Sequence, residues 1–326
     1  MIKQNSNGQN IKKPYFVYGT LKPGEIAHFQ IKEFIEKSLP ATLDSYALFV
    51  RDGAPVIFES KNWPLPVDGY LVWPYETQYN KFELQVKSYE GERLYSLQKI
   101  EVSCESKKIE CVTHIGKNQG KSHEEPLSEP WSSKDDPIFS QAFPHLFSEI
   151  KKIINNEITV GPEISNWNYY NDITSKYLLL ITFIERLAFL YCGESFTIPE
   201  EKNGNIYYNE RIMKRITTLG NSEQFLHTYA NLSGRGLLHH IKVYDSRDAK
   251  KSLSTKKPKE AMDAWYQVRS NLQHRGKSAY KDVEIVQDSL VSLANILCDL
   301  LPRFIPALDT SSSFRSNKIA EYIFIN

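Results

Sequence analysis

The chain lacks most of the features that mark a secreted, metal-bound or membrane-spanning protein. Cysteine is sparse, with four residues at 104, 111, 192 and 298 among 326. None forms a Cys-x-x-Cys pair and no Cys/His set has zinc spacing, so no disulfide framework, metal site or cofactor motif is expected. Four reduced thiols point to a cytoplasmic location. The first residues, MIKQNSNGQNIKK, contain no apolar core of a signal peptide. The most apolar stretch, residues 177–191, is interrupted by Glu185 and Arg186. It falls short of the roughly 18 apolar residues a span needs, so it reads as a buried helix and no membrane association is expected. An excess of one charge is also missing. Lys and Arg number 40 and Asp and Glu 39, so no global field draws the chain to nucleic acid. No internal repeat is visible.

What is present suffices for two packed domains. Hydrophobic residues make up 41% and aromatics 12% of the chain. After a polar N-terminus over residues 1–13, residues 14–115 show short apolar runs between turn residues: YFVYGTL, YALFV, APVIF, VDGYLVW and SLQKIEV. Their length and their aromatic and β-branched content predict strands. Helices are expected near 27–38 and 77–88, giving an α+β pattern. Residues 116–138 combine Gly, Pro, Ser and charge and read as a linker, with Trp131 expected to dock onto a domain. From 139 to 303 the period becomes helical, with helices expected near 139–155, 173–191, 211–219, 223–232, 259–274 and 282–301. Pro302 is the expected stop of the last. These helices imply an all-α C-terminal bundle, followed by a tail over 304–326.

Two strings in the first half carry chemistry. Tyr18-Gly19-Thr20-Leu21 follows a strand, and Gly19 permits close backbone approach to a ligand. Successive N–H groups in such a turn can hold a small carboxylate or phosphate. Tyr89-Glu90-Gly91 places a carboxylate among aromatics, where a raised pKa would let it shuttle a proton. The strings come with Leu43-Asp-Ser-Tyr46-Ala-Leu48, Gly53-Ala-Pro55, Val67-Asp-Gly69-Tyr-Leu-Val72 and Tyr95. In this order they resemble the gamma-glutamylcyclotransferase-like family. The resemblance implies a mixed β-barrel with flanking helices. It also implies an activity that cyclises gamma-glutamyl groups to 5-oxoproline and releases an amine. Tyr18, Gly19, Thr20 and Leu21 would hold the substrate's alpha-carboxylate, and Glu90 would be the acid/base. The chain departs from the family at Lys87, where an Asp is usual, and at Leu97, where an Arg is common. A cation at 87 is expected to pull the pKa of Glu90 down.

The second half hides a local charge asymmetry. Residues 231–280 hold eleven Lys and Arg against four acids, a platform suited to phosphates. Within it Arg269 and His274 fit Arg-x4-His, followed by Arg275 and Lys277 as candidate RNA contacts. Arg235 and His240 match the same spacing. The context of the 269–274 pair, on a long helix led by Pro258, resembles HEPN ribonucleases. That resemblance implies metal-free RNA cleavage, with His274 taking the 2′-hydroxyl proton and Arg269 holding the phosphate. Asn271 would orient the phosphate or the histidine, or serve simply as a helix-end polar residue. Five residues subtend about 500° on a helix, so the pair does not share one face. The family solves this by pairing two protomers, which implies a homodimer.

Three readings of the whole follow. One is an RNA-cleaving effector, by extension a toxin or antiviral defence protein, with the barrel sensing a gamma-glutamyl-type ligand. Another is a gamma-glutamylcyclotransferase whose bundle dimerises or binds RNA. The third is a non-catalytic assembly of binding modules.

Overall fold

The computed structural model describes residues 13–51, 53–117, 126–154, 165–202, 205–244, 252–275, 283–310 and 322–323. The chain forms two compact units. One comprises Met1–Ser133 with Gly193–Thr197, and the other Lys134–Cys192 with Ile198–Asn326.

The first unit is built on β1 (Tyr15–Val17), β2 (Ile35–Leu43), β3 (Tyr46–Arg51), β4 (Ala54–Glu59), β5 (Val67–Pro74), α1 (Tyr79–Glu90), β6 (Tyr95–Cys104) and β7 (Lys107–Gly116). Five strands close a barrel in the order β1-β5-β2-β6-β7, which leaves no open edge. The β7–β1 closure is parallel and the other ladders are antiparallel. β3 and β4 form a separate hairpin. Period-two alternation divides the apolar residues. Phe16 and Tyr18 join one core with Leu71, Val102, Cys111 and Trp131. Their neighbours Tyr15 and Val17 face the other way, packing with Phe82, Val86 and Tyr89 of α1. Burying each of those α1 side chains stabilises the unit by ~1.5–3 kcal/mol.

The second unit contains α2 (Phe143–Ile154), α3 (Ser165–Cys192), α4 (Ile212–Gly220), α5 (Glu223–Gly234), α6 (Pro258–Arg275) and α7 (Val283–Phe304). It is not all-α. β8 (Thr197–Lys202) pairs with β9 (Asn205–Glu210), and β10 (Lys242–Tyr244) with β11 (Ser252–Ser254). α7 is the central helix, with Leu290, Leu293, Ala294, Ile296, Leu297 and Leu300 fully enclosed. Among the described helices it alone is long and apolar enough to cross a membrane, and most of it is buried in the unit. Pro302 does not stop it, and the helix runs on to Phe304. Buried polar groups tie the elements together. Arg186 of α3 gives both Nε and Nη2 to Asp136 Oδ2 (3.0 and 2.7 Å), while Asp136 Oδ1 accepts from Ile138 N–H at 2.9 Å. The Asn295 amide of α7 donates to Leu237 and Ile323 carbonyls and accepts from Ile323 N–H, so this part of the tail is docked.

The structure departs from the sequence reading at three further places. Residues 27–38 are not a helix: they make two 3-10 turns and then enter β2. Pairing of Ile35–Leu43 with β5 closes the barrel, and that tertiary gain overrides the local helical pattern. The described part of 116–138 is not a free linker. Leu127 N–H donates to Leu48 O (2.7 Å), and Trp131 lies in the barrel core. Lys22 Nζ donates to Trp131 O (2.8 Å), and Glu25 accepts Ser133 N–H (2.8 Å). The first unit therefore runs to 133 rather than 115. It also takes in five residues from well beyond the expected boundary, Gly193–Thr197.

Candidate functional site

The barrel brings both N-terminal strings to one place. Tyr18 leaves the end of β1 with its ring buried, and its hydroxyl donates to His114 O of β7 (2.8 Å). Gly19 follows against Pro55 of β4: a Cβ there would stand 2.3 Å from Pro55 Cγ, so the position admits only hydrogen. The turn is closed by Lys22 N–H to Gly19 O and Ala27 N–H to Thr20 O, both 3.0 Å. Among the described residues, the N–H groups of Thr20 and Leu21 donate to no carbonyl or side chain, as an anion-holding turn requires. Tyr89, in the last turn of α1, donates its hydroxyl to Thr20 Oγ1 (2.8 Å) and fastens the helix to the turn.

Glu90 is the last residue of α1. Gly91 ends the helix at φ +66°, a left-handed value that suits glycine, and its N–H caps Lys87 O at 3.0 Å. Chain reversal then starts β6 at Tyr95, whose hydroxyl donates to Pro55 O (3.1 Å). Tyr18, Tyr95 and Glu90 lie close enough for the latter two to help hold the Tyr18 phenol protonated, after burial as the main cause. Arg51 of β3 opposes them. Its guanidinium donates to Lys117 O and Leu94 O (2.7 and 2.8 Å) and lies over the Tyr95 ring. Burial, followed by the Glu194 charge, pushes the Glu90 carboxyl up to about 8. The expectation that Lys87 would depress it is not met, because Lys87 turns outward to Glu92 (2.8 Å).

Lys87 and Leu97, the two departures from the family pattern, line a cavity of about 470 Å³ that also takes in Gly91, Tyr95, Glu92 and His114. His114 is held neutral there, its pKa lowered by burial to about 4.

Glu194 was missed from the sequence. Gly193–Thr197 packs on the Tyr89-Glu90-Gly91 corner, and Glu194 N–H donates to Tyr89 O (2.7 Å). Its carboxylate, 4% exposed, takes a bidentate pair from Arg93: Nε to Oε2 at 3.0 Å and Nη2 to Oε1 at 2.8 Å. No spacing rule links a residue at 194 to one at 90. Gly193 after an apolar helix is the faint signal of a tight corner.

The C-terminal candidates lie on α6. Arg269 stacks over Tyr266 (5.3 Å) and approaches Glu185 of α3 at 3.6 Å, where Tyr266 also donates its hydroxyl (2.9 Å). Together with Leu179 and Gln273 it lines a shallow groove of about 400 Å³. Asn271 donates to Tyr244 O (3.2 Å) and accepts from Gln267 (2.9 Å), fastening β10 to α6. His274 and Arg275 occupy the end of α6 with side chains outside the described set, and Lys277 lies outside the described residues. Among the described residues, no group of three His, Cys, Asp or Glu is placed to hold a metal ion.

Comparison with known proteins agrees with the barrel. Residues 15–133 match the family model described as "Gamma-glutamyl cyclotransferase, AIG2-like", a little over a third of the chain. Similar solved structures include a protein specific to uropathogenic E. coli. It has 14% identity and a TM-score of 0.29, with 37% of this chain and 92% of that one covered. Two Arabidopsis thaliana proteins solved in solution have 19% and 16% identity and TM-scores of 0.30 and 0.27. Each covers 47% of this chain, and 93% and 98% of their own. No curated protein matches. The closed barrel and the family-model match over 15–133 support a gamma-glutamyl cyclotransferase-like, AIG2-like domain in this part of the chain.

Proposed function

We propose that the barrel unit cyclises gamma-glutamyl amines. The reading rests chiefly on one observation: Glu90, partly buried and proton-retaining to about 8, stands at the end of α1 beside the Tyr18–Leu21 turn. The Thr20 and Leu21 N–H groups would receive the substrate's alpha-carboxylate, while Gly19 against Pro55 keeps the turn in place. The substrate's own alpha-amine attacks its gamma-carbonyl carbon. A new C–N bond closes the five-membered ring and the bond to the leaving amine breaks. Glu90 as carboxylate accepts the proton released by the attacking nitrogen and returns it to the leaving nitrogen, so nothing is consumed. A base with proton affinity near that of the working pH is best suited to both transfers. The test is 5-oxoproline release from a panel of gamma-glutamyl amines. Glu90→Gln is expected to lower turnover by about 10²–10⁴.

A second proposal concerns the helical unit: metal-free RNA cleavage by Arg269 and His274 of two paired copies. It is favoured by the placement of Arg269 on an open groove of α6, with its guanidinium stacked on Tyr266. Glu185 already holds that guanidinium, so RNA would have to displace a carboxylate. Incubation of the full chain with RNA and EDTA tests it. Cleavage that His274→Ala abolishes supports the proposal, and no cleavage by the unaltered chain overturns it.

A further inference from the structure

We infer that Gly193–Thr197 completes the barrel site, with Glu194 as a positioning residue that holds the end of α1 and governs Glu90 through its charge. The inference rests on the reading of Glu90 as the proton-transferring group.

The placement is built rather than incidental. Gly193 adopts φ +56°, and a Cβ there would stand 2.4 Å from Tyr89 O. A Cβ on Gly91 would stand 2.6 Å from Glu194 Cβ. Two glycines, 102 positions apart in number, are thus shaped to each other's backbone corner. The Glu194 N–H to Tyr89 O bond (2.7 Å) fixes the segment to the residue before Glu90, and Thr197 N–H closes the turn onto Glu194 O (2.8 Å). Arg93, two residues past Gly91, holds the Glu194 carboxylate in a two-point grip. The Glu194 carboxylate is thereby held in place beside the Tyr89–Gly91 corner.

Every charged or titratable neighbour of Glu90 fits this account. Tyr18 and Tyr95 are phenols, and Tyr18 is held neutral by burial. Arg51 is committed to Lys117 and Leu94 carbonyls, Lys87 to Glu92, and Arg93 to Glu194. Among the described residues, Glu194 is the charge that acts on Glu90 beyond burial itself. Like charges at close range disfavour ionisation of the second group, which is the direction of the Glu90 shift. The consequence is that Glu90 keeps a proton at neutral pH that it surrenders only slightly above it.

The test is the titration of Glu90 in the full chain, followed through its side-chain carbon by NMR with glutamate labelled. In Glu194→Gln the midpoint is expected to fall by about one pH unit, tenfold in proton affinity. The rising limb of turnover against pH should move by the same amount. An unmoved Glu90 midpoint overturns the inference. If Glu194→Gln does not fold, Arg93→Gln provides the opposite test. With the counter-charge gone, the Glu194 charge acts on Glu90 undiminished and the Glu90 midpoint is expected to rise, and an unchanged midpoint again contradicts the inference. If the midpoint shifts but no protein makes 5-oxoproline, the Glu194 role stands and the cyclisation reading falls.

Discussion

The barrel and the helical unit use buried polar groups to different ends. In the barrel, Tyr18 and Thr20 of the turn, Tyr89 of α1 and Tyr95 of β6 converge around a turn with unused N–H groups and a protonated carboxyl. In the helical unit, Asp136–Arg186, Asn295 and Asn271 each join two elements and are consumed by doing so. A polar group bonded on all sides is a fastener, whereas one left with proton-transfer capacity beside open donors is a site. In sequence the first half carries several motifs in order, whereas the second carries a single five-residue spacing.

That contrast can be broken or sharpened by substitution. The largest loss of stability is expected in the helical unit. Arg186→Met leaves the Asp136 carboxylate buried without its partner, at a cost of ~3–5 kcal/mol. Denaturant unfolding of the second unit measures it, and a loss under 1 kcal/mol would mean the pair is not a fastener.

Next comes Glu90, with opposite sign. Its folded pKa, about 8, exceeds its ordinary 4.5, so the folded state holds the proton more tightly. Stability from this group is intact below pH 4.5, falls as pH rises from there to about 8, and stays lost above. Glu90→Gln is therefore expected to stabilise the barrel by ~2–4 kcal/mol at pH 9 and by nothing at pH 4, since each tenfold in proton affinity is about 1.4 kcal/mol. Thermal melts at the two pH values check this, and a pH-independent difference contradicts it.

Gly19→Ala follows. Its Cβ meets the Pro55 ring, so the turn must shift, at ~1–3 kcal/mol of strain. Ligand affinity should fall more than stability does, which binding of a gamma-glutamyl compound would show. Tyr89→Phe is the mildest change. It removes one hydroxyl bond to Thr20, worth ~1 kcal/mol, and leaves turnover within about tenfold.

Much of the fold is legible in the sequence where a local pattern and the tertiary outcome agree. YFVYGTL and VDGYLVW become paired strands, and the leucine steps of 286–300 become the buried face of α7. β2 was illegible because its outward face is polar and it contains Pro40, so neither alternation nor propensity marks it. β7 was hidden by its charged start, Lys107-Lys108-Ile-Glu110. Of the site, the turn and Glu90 are readable because glycine and aromatic neighbours flank them. Glu194 is not, because a buried glutamate has no distinguishing neighbours in sequence, and only the packing of Gly91 against it reveals the pairing.

The most direct test of the account is the rate of 5-oxoproline formation by the full chain from gamma-glutamyl amines, measured from pH 5 to 10. The account predicts a rate that climbs as Glu90 loses its proton and levels off above about 8, and that is lost in Glu90→Gln. Formation of 5-oxoproline at an undiminished rate by Glu90→Gln, or none from any gamma-glutamyl amine, would contradict it.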